Sequence, residues 1–186
     1  MTKQLISFSF ISILFVSCAT LGTKTLYKSN TNSGIKKIGF TRLDGDSIIS
    51  KIFPQTDSIF TRTFVAIFKS YNINDVTSLD NEFSIYNPDT IAIAKICNDN
   101  NFDALIVSRL KFIHVTYSMN FIQIAKNWDT EVEMKLFDKS GNLMLTVLHN
   151  TTKGNSYFMP PTADRTIHDG TEGAIKRIAK EFRLTK

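Results

Sequence analysis

Apolar positions recur along this chain with two different periods, and the periods predict which segments are strands and which are helices. Residues 34–43, GIKKIGFTRL, alternate between apolar and polar and precede a DGD turn, which predicts a first strand. Residues 73–79, INDVTSL, predict a second short strand. Between the two strands, apolar side chains recur at helical spacing from Asp57 onward: Phe60, Phe64, Ile67, Phe68 and Tyr71.

The second half of the chain continues with one helix, a run of strands and a closing helix. NPDT at 87–90 predicts a capped helix start, with Asn87 as the cap and Pro88 in the first turn. Residues 102–124 and 129–138 predict two strands with a break at AKNW, and LMLTVLH at 143–149 predicts a third strand after the turn DKSGN. The closing helix is predicted from an apolar stripe of Ile167, Thr171, Ala174, Ile175, Ile178 and Phe182.

The predicted order of elements is β-α-β-α-β-β-β-α. Early βα units followed by a strand meander indicate a mixed sheet with helices packed against it. We therefore expect the α/β (α+β) class, as a single two-layer domain over residues 35–186, with about five strands and about three helices.

Composition and charge limit the kinds of partner. The chain has 186 residues, of which 42% are apolar and 21% charged, so one folded domain is expected. The net charge is +5, and it becomes +4 if the segment that holds Lys3 is removed. We expect no nucleic-acid partner, because such proteins concentrate their basic residues in a stripe.

The amino terminus resembles an export signal. Lys3 precedes an apolar stretch over residues 5–16, which is too short for a membrane-spanning helix and matches the apolar region of a secretory signal. The small residue Ser17 then precedes Cys18. This ending resembles the lipobox of bacterial lipoproteins, which implies cleavage before Cys18 and attachment of diacylglycerol and palmitate to it.

The resemblance implies three segments: a signal peptide at 1–17, the lipidated cysteine with a flexible tether at 18–34, and the domain at 35–186. The alternatives are an ordinary signal with a free exported cysteine, or an uncleaved anchor. Residues 19–34, which follow Cys18, contain no acidic residue that would direct sorting elsewhere. The expected location is therefore the bacterial cell envelope, at the periplasmic face of the outer membrane.

The order of elements, the strand in DALIVSRL, the hairpin in VEMKLFDKSGNLM and the closing helix resemble a group of small periplasmic domains. The group includes the curli-secretion channel lipoprotein, the activator lipoproteins of penicillin-binding proteins and the amino-terminal domain of TolB. The resemblance covers residues 35–183 and implies a non-catalytic module. Such a module works by self-assembly or by docking on envelope proteins, with the membrane as partner through the lipid on Cys18.

Candidate chemistry along the chain is sparse. The histidines His114, His149 and His168 have no metal-site spacing, and neither a nucleophile elbow nor a phosphate-binding glycine loop occurs in the sequence. We therefore expect no enzyme, no cofactor and no metal. The alternative is a lipoprotein that binds a small ligand or a glycan, with or without hydrolytic activity. A concave pocket with converging polar groups would favour that alternative, and an exposed apolar patch would favour the adapter.

Three further features complete the sequence-based predictions. Tyr157, Phe158 and Met159 stand in a proline-containing loop, where they either plug the core or form a partner contact. The cations of the closing helix form either a solvated face or a surface for an anionic partner. Cys97 is expected to be a buried, inert thiol.

Overall fold

The computed structural model describes residues 22–30, 34–44, 53–119, 122–151 and 162–185, with the backbone alone at 114–119 and 122–128. The described strands are β1 (Thr23–Lys28), β2 (Lys37–Thr41), β3 (Asp75–Leu79), β4 (Ala104–Met119), β5 (Ile122–Asp138) and β6 (Leu143–Asn150). The described helices are α1 (Thr56–Ser70), α2 (Thr90–Asn100) and α3 (Ala163–Glu181).

The strands form one mixed sheet in the order β1-β6-β5-β4-β2-β3. β2 is parallel to both β3 and β4, and the other pairs are antiparallel. This confirms the predicted fold class. The strand count is corrected from five to six, because β1 lies inside the segment predicted as a tether and pairs there with β6.

The larger core lies between the sheet and the helices α1 and α3, on what we call the α1/α3 face. Its centre is a group of phenylalanines: Phe64 of α1 stacks on Phe40 of β2, with ring centroids 4.1 Å apart, and contacts Phe68 at 4.9 Å. All three rings are almost completely removed from solvent. The helical spacing of Phe60, Phe64 and Phe68 therefore predicted the buried stripe of α1 correctly, whereas Ile67 and Tyr71 are only partly buried.

A second, smaller core lies on the opposite face of the sheet, under α2. Side chains alternate between the two faces of a strand, so Leu105 and Val107 of β4 point away from Ile106. They pack with Ile93 and Cys97 of α2, on what we call the α2 face. The structure differs from the predicted two layers in this detail: helices lie on both faces, because the β3–β4 crossover passes on the opposite side from the β2–β3 crossover.

The β4–β5 hairpin is longer than its neighbours. β6 pairs with β5 only from Glu131 onward. The β4–β5 ladder extends beyond that point toward the hairpin tip, as far as the Met119–Ile122 pair. The predicted break at AKNW is wrong, because residues 125–128 pair with β4 inside the hairpin. The predicted DKSGN turn is confirmed, and its Gly141 takes a φ of +80°.

The helix ends follow from local hydrogen bonding. The predicted Asn87 cap is wrong: α2 begins at Thr90, and the Asp89 carboxylate caps it by accepting from the backbone N–H groups of Ile91 and Ala92. Thr162 caps α3 by accepting from the backbone N–H of Arg165.

No helix among the described residues combines the length and the apolar character needed to cross a bilayer.

Candidate functional site

The residues that the sequence singled out as sites are not part of the described structure. Cys18 and the group Tyr157, Phe158 and Met159 lie outside the described residues. Lipid attachment and partner contact at these positions therefore stay predictions. The described residues offer two other surfaces, one at each edge of the sheet, and neither was predicted from the sequence.

The first surface is the edge strand β1. Leu26 and Tyr27 are about half exposed there, and Leu26 sits at an irregularity in the register with β6. Among the described strands, none pairs with the outer side of β1. An edge strand with free backbone groups and apolar side chains is a site at which another chain can pair.

Ionic contacts connect β1 to α3. The Glu181 carboxylate accepts from Lys28 Nζ at 2.8 Å and from Thr25 Oγ1 at 3.1 Å. Arg177 Nε donates to Thr25 Oγ1 at 2.6 Å and lies 3.0 Å from Glu181. The hydrogen bond from Lys28 lowers the pKa of Glu181 below its ordinary value, and Thr25 and Arg177 contribute in the same direction. β1 is therefore an integral strand of the folded domain.

A half-buried histidine lies at the other end of this edge. His149 of β6 is hydrogen-bonded through Nδ1 to Thr23 Oγ1, and its ring lies against Gly173 of α3. A Cβ at Gly173 would overlap the His149 ring, so the helix can pack this closely only because the residue is glycine. Burial lowers the pKa of His149, and the charge of Asp169 opposes that shift.

The second surface is a cleft of about 420 Å³ at the opposite edge of the sheet. It lies where β2 and β3 end and α1 begins. Two arginines and two aspartates line it, together with several hydroxyl groups: Arg42, Arg62, Asp57, Asp80, Ser58, Thr61 and Ser78. The four charged side chains are exposed. Among the described residues, none of these four forms an ion pair or a side-chain hydrogen bond.

Several charges elsewhere on the described surface are paired. On the α2 face, Arg109 lies 3.2 Å from Glu133 and 3.7 Å from Glu131, and it stacks over the Tyr86 ring at 4.9 Å. Lys135 Nζ donates to the Ile85 carbonyl at 2.6 Å. These contacts hold the segment between β3 and α2 against the sheet, so we assign this cluster a structural role.

One group of described residues has the ligand types of a metal site. His168, Asp169 and Glu172 of α3 have ligand atoms within 4.8 Å of one another. Both carboxylates already have cationic partners, since Arg165 lies 3.5 Å from Asp169 and Lys176 lies 2.9 Å from Glu172. The donor set therefore fits an ion-pair network on an exposed helix better than a metal site. The spacing of the three histidines does not reveal this group, because its i, i+4 pair consists of one histidine, His168, and one carboxylate, Glu172.

Cys97 is fully buried in the α2-face core, as predicted. Burial raises the pKa of its thiol to about 11, and the nearby Asp138 charge adds to the shift. A thiol that stays protonated at neutral pH is a poor nucleophile and a poor metal ligand. Cys97 therefore belongs to the core.

Comparison with known proteins finds similarity to this chain among solved structures, at the level of the fold. No protein-family model matches the chain, and no curated protein matches it in sequence. Among solved structures, a dodecamer of a PelC point variant from Paraburkholderia phytofirmans is similar, at 8% identity and a TM-score of 0.53, over 87% of this chain and 97% of that one. TolB from Acinetobacter baumannii is similar at 14% identity and a TM-score of 0.40, over 87% of this chain and 31% of that one. At such identities the likeness to PelC is one of fold.

Proposed function

We propose that this chain is a lipid-anchored lipoprotein of the bacterial cell envelope that acts without catalysis, as a binding and assembly module. The observation that carries the proposal is the similarity over nearly the whole chain to a PelC subunit that was solved as a dodecamer. The signal-like sequence that ends at Cys18 supports the anchor and an exported location. We place the anchored protein at the periplasmic face of the outer membrane.

The position of β1 supports a close approach to the membrane. The Gly22 carbonyl accepts from the Asn150 backbone N–H at 2.7 Å, so the chain is already part of the fold at Gly22. Cys18 stands four positions earlier, and four extended residues reach about 14 Å. A lipid on Cys18 would therefore hold the β1 edge near the bilayer surface, much closer than a tether that extends to residue 34 would.

The β1 edge also supports self-assembly. Tethering to a membrane confines neighbouring copies to one plane at one height and raises their effective concentration. Under that constraint the exposed side chains Leu26 and Tyr27 meet the same edge region of other copies. Pairing through this edge would cover its apolar side chains and satisfy the backbone groups that no described strand pairs with.

Two experiments test the anchor and the assembly separately. Cells that produce the protein are given a palmitate analogue: we expect label on the wild type and on Cys97→Ala, and none on Cys18→Ala. Equal labelling of Cys18→Ala would contradict lipidation at this site.

Chemical crosslinking in intact membranes is expected to give a ladder of self-crosslinked copies or one defined envelope partner. Recovery of the bare monomer would contradict the assembly role.

A further inference from the structure

We propose that the cleft between β2, β3 and α1 is a binding site for a small zwitterion, such as an amino acid or a short peptide with a free ammonium and a free carboxylate. The proposal does not depend on lipid anchoring or on self-assembly. It rests on the topology of the sheet, on the size of the cleft and on four charges that have no ion-pair partner among the described residues.

The topology supplies the crevice. β2 and β3 are adjacent and parallel. The chain leaves β2 toward α1 on the α1/α3 face, and it leaves β3 toward α2 on the α2 face. Where two neighbouring parallel strands send their connections to opposite faces, a crevice opens outside their carboxyl ends, and ligands of open α/β sheets bind in such crevices. The cleft lies at that point and, at about 420 Å³, falls in the size range of small-ligand sites.

The unpaired charges supply the ligand chemistry. Arg42 and Asp80 follow the two strands, and Asp57 and Arg62 stand on the first two turns of α1. Opposite charges line the same cleft, yet no two of these four side chains form an ion pair. On α3, by contrast, such groups do pair, as the side chains of Arg165–Asp169 and Lys176–Glu172 show. Within the described part of the chain, the cleft therefore keeps both guanidinium donors and carboxylate acceptors available.

A ligand with both charges is the best complement to this set. The guanidiniums would receive its carboxylate in charge-assisted hydrogen bonds, and the amino-terminal end of α1 adds to the attraction for an anion. The aspartates would accept from its ammonium group. A simple anion would be repelled by Asp57 and Asp80, and a simple cation would be repelled by Arg42 and Arg62. The hydroxyl groups of Ser58, Thr61 and Ser78 can bind the peptide unit between the two charges.

Calorimetric titration of the purified full-length protein tests this proposal with four probes. The dipeptide Ala-Ala carries both charges, N-acetyl-Ala-Ala lacks the ammonium, Ala-Ala amide lacks the carboxylate, and maltose is a neutral polyol of comparable size. We expect Ala-Ala to bind and each blocked form to bind at least about tenfold more weakly, which corresponds to the loss of one charge-assisted hydrogen bond. Equal binding of the blocked forms, tighter binding of maltose, or no heat from Ala-Ala would overturn the proposal.

Substitutions locate the binding in the cleft. Arg62→Gln and Asp80→Asn each remove one charge from an exposed side chain, and we expect each to weaken Ala-Ala binding at least about tenfold. Lys69→Gln, at the far end of α1, and Asp99→Asn, on α2, are matched controls that should bind as the wild type does. Unchanged thermal unfolding verifies that each variant is folded. Wild-type affinity in both cleft variants would overturn the assignment.

Discussion

The two edges of the sheet differ in almost every respect. At one edge, β1 pairs antiparallel with β6, is tied to α3 by Glu181, and exposes Leu26 and Tyr27. At the other edge, β3 is parallel to β2, and a cleft opens where the two strands end; its four charged side chains form no ion pair with any described residue. Exposed apolar side chains on an edge strand fit contact with a neighbouring chain, although the exposed lysines Lys24 and Lys28 limit such pairing, and a polar crevice fits a small ligand. The two edges of one sheet therefore differ in chemistry, and we propose a different binding role for each.

The largest expected effect comes from removing core packing between α1 and β2, the strand that pairs with the β3 edge. Phe64→Ala deletes a fully buried ring that stacks on Phe40, and we expect it to lower the free energy of unfolding by about 3–5 kcal/mol. Leu26→Ala removes an apolar side chain that is exposed at the β1 edge. It should change the stability of the monomer by less than about 0.5 kcal/mol. Urea unfolding measures both, and a smaller loss for Phe64→Ala than for Leu26→Ala would contradict the assignment of the core.

A smaller effect, confined to β1, is expected when Glu181 is changed. Glu181→Gln weakens the contacts with Lys28, Thr25 and Arg177, and it should raise hydrogen exchange at the β1 amides while β3 stays unchanged. The expected loss of stability is about 1–2 kcal/mol. Glu172→Gln is the control, because the ion pairs of Glu172 among the described residues are with α3 side chains. Faster exchange at β3 than at β1 would argue against a local role.

The same carboxylate makes the β1 edge sensitive to acid. The folded-state pKa of Glu181 lies below its ordinary value of 4.5. Its stabilising contribution is therefore fully present above pH 4.5 and is lost as the pH falls through the folded-state pKa. The wild type should lose protection at β1 in that range, and Glu181→Gln should not show this step. Hydrogen exchange as a function of pH measures it, and identical pH profiles would contradict the linkage.

Protonation of His149 is expected to lower the stability of the fold at a milder pH than protonation of Glu181 does. Burial lowers its pKa below 6.5 in the folded state, so the unfolded chain takes up the proton first. Stability therefore falls as the pH drops from about 6.5 toward the folded-state pKa, by at most about 1.4 kcal/mol per pH unit. The melting temperature of the wild type should fall over this range, and that of His149→Gln should fall less. His168→Gln, at an exposed position, is the control and should follow the wild type.

A small effect, neutral or of the opposite sign, is expected at the middle of the sheet. The Ser108 hydroxyl is buried in β4, and among the described residues it has no hydrogen-bond partner. Ser108→Ala removes an unsatisfied polar group, so it should be neutral or should stabilise the fold by up to about 1 kcal/mol. A loss above about 1 kcal/mol in urea unfolding would show that the hydroxyl has a partner after all.

The sequence predicts an element well where one face of it is continuously apolar. The phenylalanine stripe of α1 and the alternation at 129–138 are of this kind. α1 lies where it was expected, and β5 contains the predicted strand but begins earlier, at Ile122. β1 is different, because TKTLYK buries little and owes its strand form to pairing with β6 and to Glu181, 153 residues after Lys28. Residues 125–128 have the composition of a turn, yet long cross-strand pairing with β4 keeps them extended.

The cleft could not be predicted from local sequence for a similar reason. Its charged residues come from three segments, after β2, in α1 and after β3, and each segment alone has the composition of an ordinary solvated surface. Only the parallel pairing of β2 with β3, and the exit of the chain to opposite faces, brings them together. Cys97, by contrast, was predicted correctly because burial of a small apolar side chain is a local property of α2.

The most direct test of the central claim is the mass of the species that chemical crosslinking captures in intact membranes, measured by gel electrophoresis and mass spectrometry. The proposal predicts that the wild type is larger than a monomer, and that the double variant Leu26→Ser/Tyr27→Ser shifts toward the monomer. Ile91→Ser, which alters an exposed apolar side chain on α2, should leave the mass unchanged. A monomeric wild type, or a double variant that assembles as the wild type does, would contradict assembly through the β1 edge.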